Sequence, residues 1–100
     1  MLTDILITET TATAKLSGVL DTPAALACET SMQELLDHCD KHIIIDCSDL
    51  EYISSSGLRL FMALSKGAYA GGGDVTLTNL QPEVKEVFVM TGFDAFIAIQ

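Results

Sequence analysis

Basic residues are scarce in this chain. Five lysines and arginines stand against 14 aspartates and glutamates, for a formal net charge of −9. Such a field repels phosphate backbones and argues against nucleic-acid binding. It disfavours an anionic membrane surface for the same reason. Two readings of the acidity stand side by side: it complements a basic protein partner, or it only keeps the domain soluble. No apolar run approaches the ~20 residues of a spanning helix, so no membrane insertion is expected. The opening Met1-Leu2-Thr3-Asp4 lacks the basic and apolar regions of a signal peptide. Cysteine is sparse too. Cys28, Cys39 and Cys47 are odd in number and widely spaced, with no CxxC and no paired Cys/His spacing. Neither a disulfide framework nor a zinc site is supported, and no metal or other cofactor is expected. Free, buried thiols suit a reducing cytoplasm.

What is present is apolar and patterned. The hydrophobic fraction is 49%, far from the disordered class. One hundred residues make one domain, 1–100, which buries roughly 60–70% of its unfolded surface. Internal repeats and Pro-rich or Ser-rich linkers are missing. Residues 3–8 and 11–17 alternate as two strands, with Glu9-Thr10 as the turn of an antiparallel hairpin. Asp21 or Thr22 caps a helix with Pro23 at its first position. Ala25, Cys28, Met32, Leu35 and Cys39, spaced 3, 4, 3, 4, predict that helix over about 23–39. The same pattern makes Cys28 and Cys39 core filler.

Residues 42–47 form a β-branched run without alternation, which predicts a central strand buried on both faces. A short loop, Ser48 to Ile53, then a serine cluster and a helix over about 56–70 follow, ended by Gly71-Gly72-Gly73. Val75 to Thr78 read as a strand, Pro82 to Gly92 as a third helix, and Ala95 to Ile99 as a last strand. The order β-β-α-β-α-β-α-β predicts an α/β fold. Its mixed sheet has about five strands, and the helices lie mainly on one face.

The segment Ser54-Ser55-Ser56-Gly57-Leu58 stands at a helix start. Loops beyond the carboxyl ends of parallel strands are where function collects. Free N–H groups and about half a positive charge at a helix N-terminus would stabilise a phosphate there. One serine is explained by capping; three exceed that need. In the helix behind, Gly57, Leu60, Phe61, Leu64 and Ala68 make an inward face. Leu58, Met62, Ser65 and Tyr69 make a second stripe, which is either a docking patch or part of a broad core face.

Several stretches resemble the STAS domain family of bacterial anti-sigma factor antagonists. They are Ile44-Ile45-Asp46-Cys47-Ser48, the run Ser54 to Leu58, Gly18-Val19-Leu20-Asp21, Gly72-Gly73-Asp74-Val75, Pro82-Glu83-Val84 and Met90-Thr91-Gly92-Phe93. Together they span nearly the whole chain in the family's order. The resemblance implies a STAS-like fold and a partner switch. An anti-sigma factor that is also a serine kinase phosphorylates the antagonist, the modified form no longer binds, and a serine phosphatase resets it. By the motif the phosphoacceptor is Ser55, with Ser54 and Ser56 as neighbours. Asp21, Ser54, Ser56, Gly57, Leu58, Met62 and Tyr69 fall on the partner-binding side. The antagonist is a substrate and not an enzyme, and is expected as a monomer or weak dimer. The motif's aspartate is Ser54 here, which also leaves open a non-phosphorylated STAS subunit of a transporter or lipid-transport complex. A serine hydrolase would need a base. The histidines, His38 and His42, belong to the far end of the first helix and the start of the central strand, and no GxSxG elbow or phosphate loop is present.

Overall fold

The structure, a computed structural model, describes residues 2–95 and 97–100. Strands β1 (Leu2–Ile7) and β2 (Thr11–Leu20) form the expected hairpin, closed by Thr8, whose hydroxyl accepts from the Thr11 N–H at 3.0 Å. Helix α1 (Thr22–Leu36), β3 (His42–Ile53), α2 (Ser55–Gly71), β4 (Asp74–Thr78), α3 (Pro82–Met90) and β5 (Ala98–Ile99) follow. The sheet runs β1-β2-β3-β4-β5, with β1 antiparallel and the other neighbours parallel. Because parallel strands are added in chain order, crossovers of one hand place their helices on one face.

Burial follows that layering. Ala12, Ala14 and Leu16 of β2, Ile43, Ile45 and Cys47 of β3, and Val75 and Leu77 of β4 are buried beneath the helices. Ala25, Cys28, Met32 and Leu35 of α1 and Phe61, Leu64 and Ala68 of α2 meet them, as the helical spacings predicted. Phe88 of α3 stands edge-on to Phe61 and Phe93, with ring centroids 5.3 and 5.9 Å apart. Each such pair adds about 0.5–1.5 kcal/mol to the area buried.

Four expectations are corrected. First, β3 is not buried on both faces: Ile44 is half-buried, flanked in register by Thr13 and Thr76 on the face without helices. Second, Ser48 to Ile53 is not a loop but the second half of β3, paired with Ser17–Leu20 of β2. Register shifts between Lys15 and Ser17, and between Gly18 and Val19, each put an extra residue into β3. They turn the burial period from two to three, at Cys47, Leu50 and Ile53. Third, α1 stops at Leu36 with Asp37 as its C-cap. Cys39 keeps its buried place from a turn beyond the helix, its thiol 3.9 Å from the Leu35 carbonyl. Fourth, the final strand shrinks to Ala98–Ile99, and Ala95 closes a 3-10 turn (Phe93–Ala95). Phe96, within the expected strand, lies outside the described residues.

At the end of α2 the glycine triplet acts as expected. Gly72 takes the left-handed conformation, φ 86°, which a side chain would strain.

Candidate functional site

In the parallel pair β2–β3, Leu20 and Ile53 are register partners and both strands end there. The helices that follow them therefore begin side by side at the carboxyl end of the sheet. Asp21 caps α1, its carboxylate accepting from the Ala24 N–H at 3.0 Å. Ser54 caps α2, its Oγ accepting from the Gly57 N–H at 3.2 Å. The Ser54 hydroxyl also donates to the Leu20 carbonyl at 2.9 Å, and the Ser54 backbone N–H donates to the same oxygen at 2.9 Å. Strand β2 and helix α2 are thus tied through one carbonyl.

The three serines separate by these bonds. Ser54 is half-buried and committed to the cap. Ser56 is half-buried, its Oγ 3.3 Å from Thr22 Oγ1 of α1. Ser55, the first residue of α2, is exposed, and its hydroxyl makes no hydrogen bond among the described residues. It is the hydroxyl that an incoming enzyme can reach without breaking a contact.

Gly57 is buried, and its absent side chain is what lets α2 approach the sheet. A Cβ there would stand 2.8 Å from Ile53 Cγ1 and 2.9 Å from Leu20 Cδ2. Leu58 is half-buried against the core, whereas Met62 and Tyr69 are exposed, Tyr69 by 91%. The second stripe therefore splits. Leu58 belongs to the core edge. Met62 and Ser65 border a groove completed by Lys66, Thr91 and Phe93, and Tyr69 with Ala95 continues it.

Sequence reasoning missed Val19 and Tyr52. They are register partners across β2–β3, both about half exposed, two positions from the capping residues. Their signal was present: a β-branched and an aromatic residue, both strand formers, one just beyond the strand expected over 11–17 and the other in the stretch read as a loop. A second groove, between α1 and α2, is lined by Thr22, Leu26, Glu29, Ser56, Arg59 and Leu60.

In the Asp46-Cys47-Ser48 stretch, Asp46 lies on the face of β3 opposite the buried Cys47. Asp46 Oδ1 accepts from the Ser48 N–H at 3.0 Å and from the Asn79 amide at 3.2 Å. Those two bonds hold its carboxyl below the ordinary value. Gln81, which precedes α3, donates to the Ser48 carbonyl at 3.1 Å. The motif thereby fastens the β3 bulge to the β4–α3 connection. Burial pushes the Cys47 thiol up to about 12, with Asp46 adding to it.

The histidines lie at the other end of the sheet. His42 begins β3 and faces Asp74 at 3.0 Å. Ser54 follows the last residue of that strand, at its opposite end. Among the described residues no group of three or more His, Cys, Asp or Glu could hold a metal ion. No described helix is long and apolar enough to cross a membrane.

Comparison with known proteins agrees with this architecture. The chain is 34% identical over 80 residues to BtrV of Bordetella bronchiseptica, provisionally assigned as an anti-sigma factor antagonist. The match takes in 80% of this chain and 69% of that protein. The fold superimposes on the unphosphorylated form of the anti-sigma factor antagonist SpoIIAA with a TM-score of 0.77 and 24% identity. That match covers 100% of this chain and 86% of the other. The phosphorylated form of SpoIIAA, from Bacillus, gives 0.71 at 23% identity, covering 100% and 89%. A protein of Thermotoga maritima, provisionally classed the same way, gives 0.81 at 24% identity, covering 95% and 82%. The STAS domain family model matches residues 4–100, and the chain belongs to that family.

Proposed function

We propose that this chain is an anti-sigma factor antagonist. It binds an anti-sigma factor that is also a serine kinase, is released when Ser55 is phosphorylated, and is reset by a serine phosphatase. The kinase moves the γ-phosphoryl group of ATP to Ser55 Oγ. The bond to the departing ADP breaks, and the hydroxyl proton passes to the kinase's base. The observation that carries this reading is the sorting of the serines: Ser54 and Ser56 hold the fold together, and Ser55 alone is exposed and unengaged.

The electrostatics favour a switch. A phosphate adds about −1.5 to −2 charges. The helix start of α2 tolerates it, but it joins Glu51 and Asp21, both exposed nearby. An interface built over this face would have to desolvate the dianion. The docking area extends from Val19 and Tyr52, past Ser55, to Met62 and Tyr69, with Asp21 at its edge. A basic partner surface complements it.

The test is labelling by the cognate kinase with ATP. Wild type should take one phosphate, and Ser55→Ala none while keeping its affinity for the kinase. Ser55→Glu should lose that affinity. Labelling of Ser55→Ala at the wild-type level would refute the assignment.

A second reading rests on Ser54 standing at the motif's aspartate: a non-phosphorylated subunit of a transporter or lipid-transport complex. Co-purification with an ATPase subunit and not with a kinase would favour it.

A further inference from the structure

Arg59 follows Ser55 by four residues, inside α2. Residues at that spacing share a helix face, with Cβ atoms ~5–6 Å apart. Arg59 is exposed, and among the described residues its guanidinium makes no hydrogen bond or ion pair. Cations are rare here, and most are placed elsewhere. Lys15 pairs with Asp49 at 2.9 Å, and Lys41 donates to the Glu9 carbonyl at 2.7 Å. Lys66 is eleven residues further along α2 than Ser55, ~16 Å at 1.5 Å per residue. Lys85 belongs to α3.

We infer that Arg59 receives the phosphate placed on Ser55, so that modification closes an ion pair along the first turns of α2; the inference rests on the phosphorylation reading of Ser55. The acid stands N-terminal to the base at i, i+4, the favourable order on a helix. The planar guanidinium presents two parallel donors to phosphate oxygens, which an ammonium does not. Both side chains are exposed, so neither must leave a packed position to meet the other.

The pairing has a consequence for the neighbouring groove. Arg59 lines it with Thr22, Leu26, Glu29, Ser56 and Leu60. Phosphorylation would turn the one arginine of the chain from the rim of that groove toward Ser55 as well as adding an anion there. The partner-facing surface changes at two points for one covalent event.

Glu29 of α1 lines the same groove as Arg59, and Asp21, the cap of α1, and Glu51, near the end of β3, are exposed. A carboxylate beside the phosphate raises the dianion's affinity for a proton, and an arginine beside it lowers that affinity. A comparison that changes Arg59 alone isolates its contribution.

The test uses the full chain with phosphoserine incorporated at position 55 during translation, so no kinase is needed. Phosphorus NMR follows the second ionisation of the phosphate, the step between monoanion and dianion, between pH 4 and 8 in low salt. Arg59→Gln should raise the phosphate's proton affinity about 1.5- to twofold over wild type, with Arg59→Lys in between. The difference should shrink in 1 M salt, where the screening length falls to ~3 Å. Circular dichroism of the same samples shows whether each variant is folded. Superimposable titrations of wild type and Arg59→Gln would overturn the inference. Failure of a kinase to label the unmodified wild type would instead refute the functional reading and leave the titration result standing.

Discussion

Replacing Gly57 by alanine should destabilise the domain and disturb its docking face together. The new Cβ would meet Ile53 Cγ1 at 2.8 Å, Leu20 Cδ2 at 2.9 Å and Leu20 Cγ at 3.1 Å. Carbon atoms in contact sit at ~3.5–4.0 Å, so something must give way. Leu20 is fully buried and Ile53 nearly so, and both are held as register partners in the β2–β3 ladder. The yielding element is therefore the first turn of α2. Overpacking of this kind costs about 1–3 kcal/mol. Alanine recovers about 1 kcal/mol over glycine in a helix. The net loss is about 1 kcal/mol, or ~4–8 °C in Tm for a domain of this size. Thermal unfolding followed by circular dichroism measures it. Displacing that turn also lengthens the bonds from Ser54 to Leu20 and Gly57, so kinase binding should weaken at a temperature where the variant remains folded. A Gly57→Ala protein as stable as wild type, or more so, would refute the close-approach account of this glycine.

Other consequences are open to measurement. Ser54→Ala removes the cap to the Gly57 N–H and the donor to the Leu20 carbonyl; a loss of about 1–2 kcal/mol is expected from urea unfolding. Asp46 has a folded pKa below its ordinary value, so its stabilisation is present above the unfolded pKa of ~3.9 and is lost as pH falls through the lower folded value. Asp46→Asn should therefore lower Tm slightly at pH 7, with the gap to wild type closing as pH falls below the unfolded value and through the lower folded one in a pH series of melts. All three cysteines are buried, and Cys47 titrates only near 12. A thiol reagent at pH 8 should leave the native protein unmodified and label three thiols after denaturation. Rapid labelling of a native thiol would contradict the packing around them.

Much of the fold is written in local signals. Pro23 and Asp21 announce α1, the glycine triplet ends α2, and Pro82 opens α3, each through backbone geometry that does not depend on distant contacts. Periodicity places the inward faces of both long helices for the same reason. It fails where tertiary pairing rewrites the period. In β3 two inserted residues shift the buried positions to Cys47, Leu50 and Ile53, and the partner that imposes this is β2, some thirty residues away in sequence. Ile44 fails differently. Its side chain is apolar, but its neighbours across the ladder are threonines and no helix covers them. Composition alone reads such a residue as buried.

The serine cluster shows the same division. Its place at a helix start was legible; which serine is free was not. That distinction depends on the Leu20 carbonyl and the Thr22 hydroxyl, both 34 residues from the serines they meet. The substitution at position 54 also changes meaning once those bonds are known. Serine and aspartate are about equal as caps, so the departure from the motif leaves the acceptor for the Gly57 N–H in place. The hydroxyl can also donate a proton to Leu20, which an ionised carboxylate cannot do. Ser54 further leaves the position beside Ser55 uncharged, so a phosphate on Ser55 does not face a carboxylate on the preceding residue. Under the proposed function, the departure would therefore preserve the scaffold of the switch and alter the electrostatic setting of a phosphate on Ser55. That setting is where the inferred pair with Arg59, the lone arginine of the chain, would act.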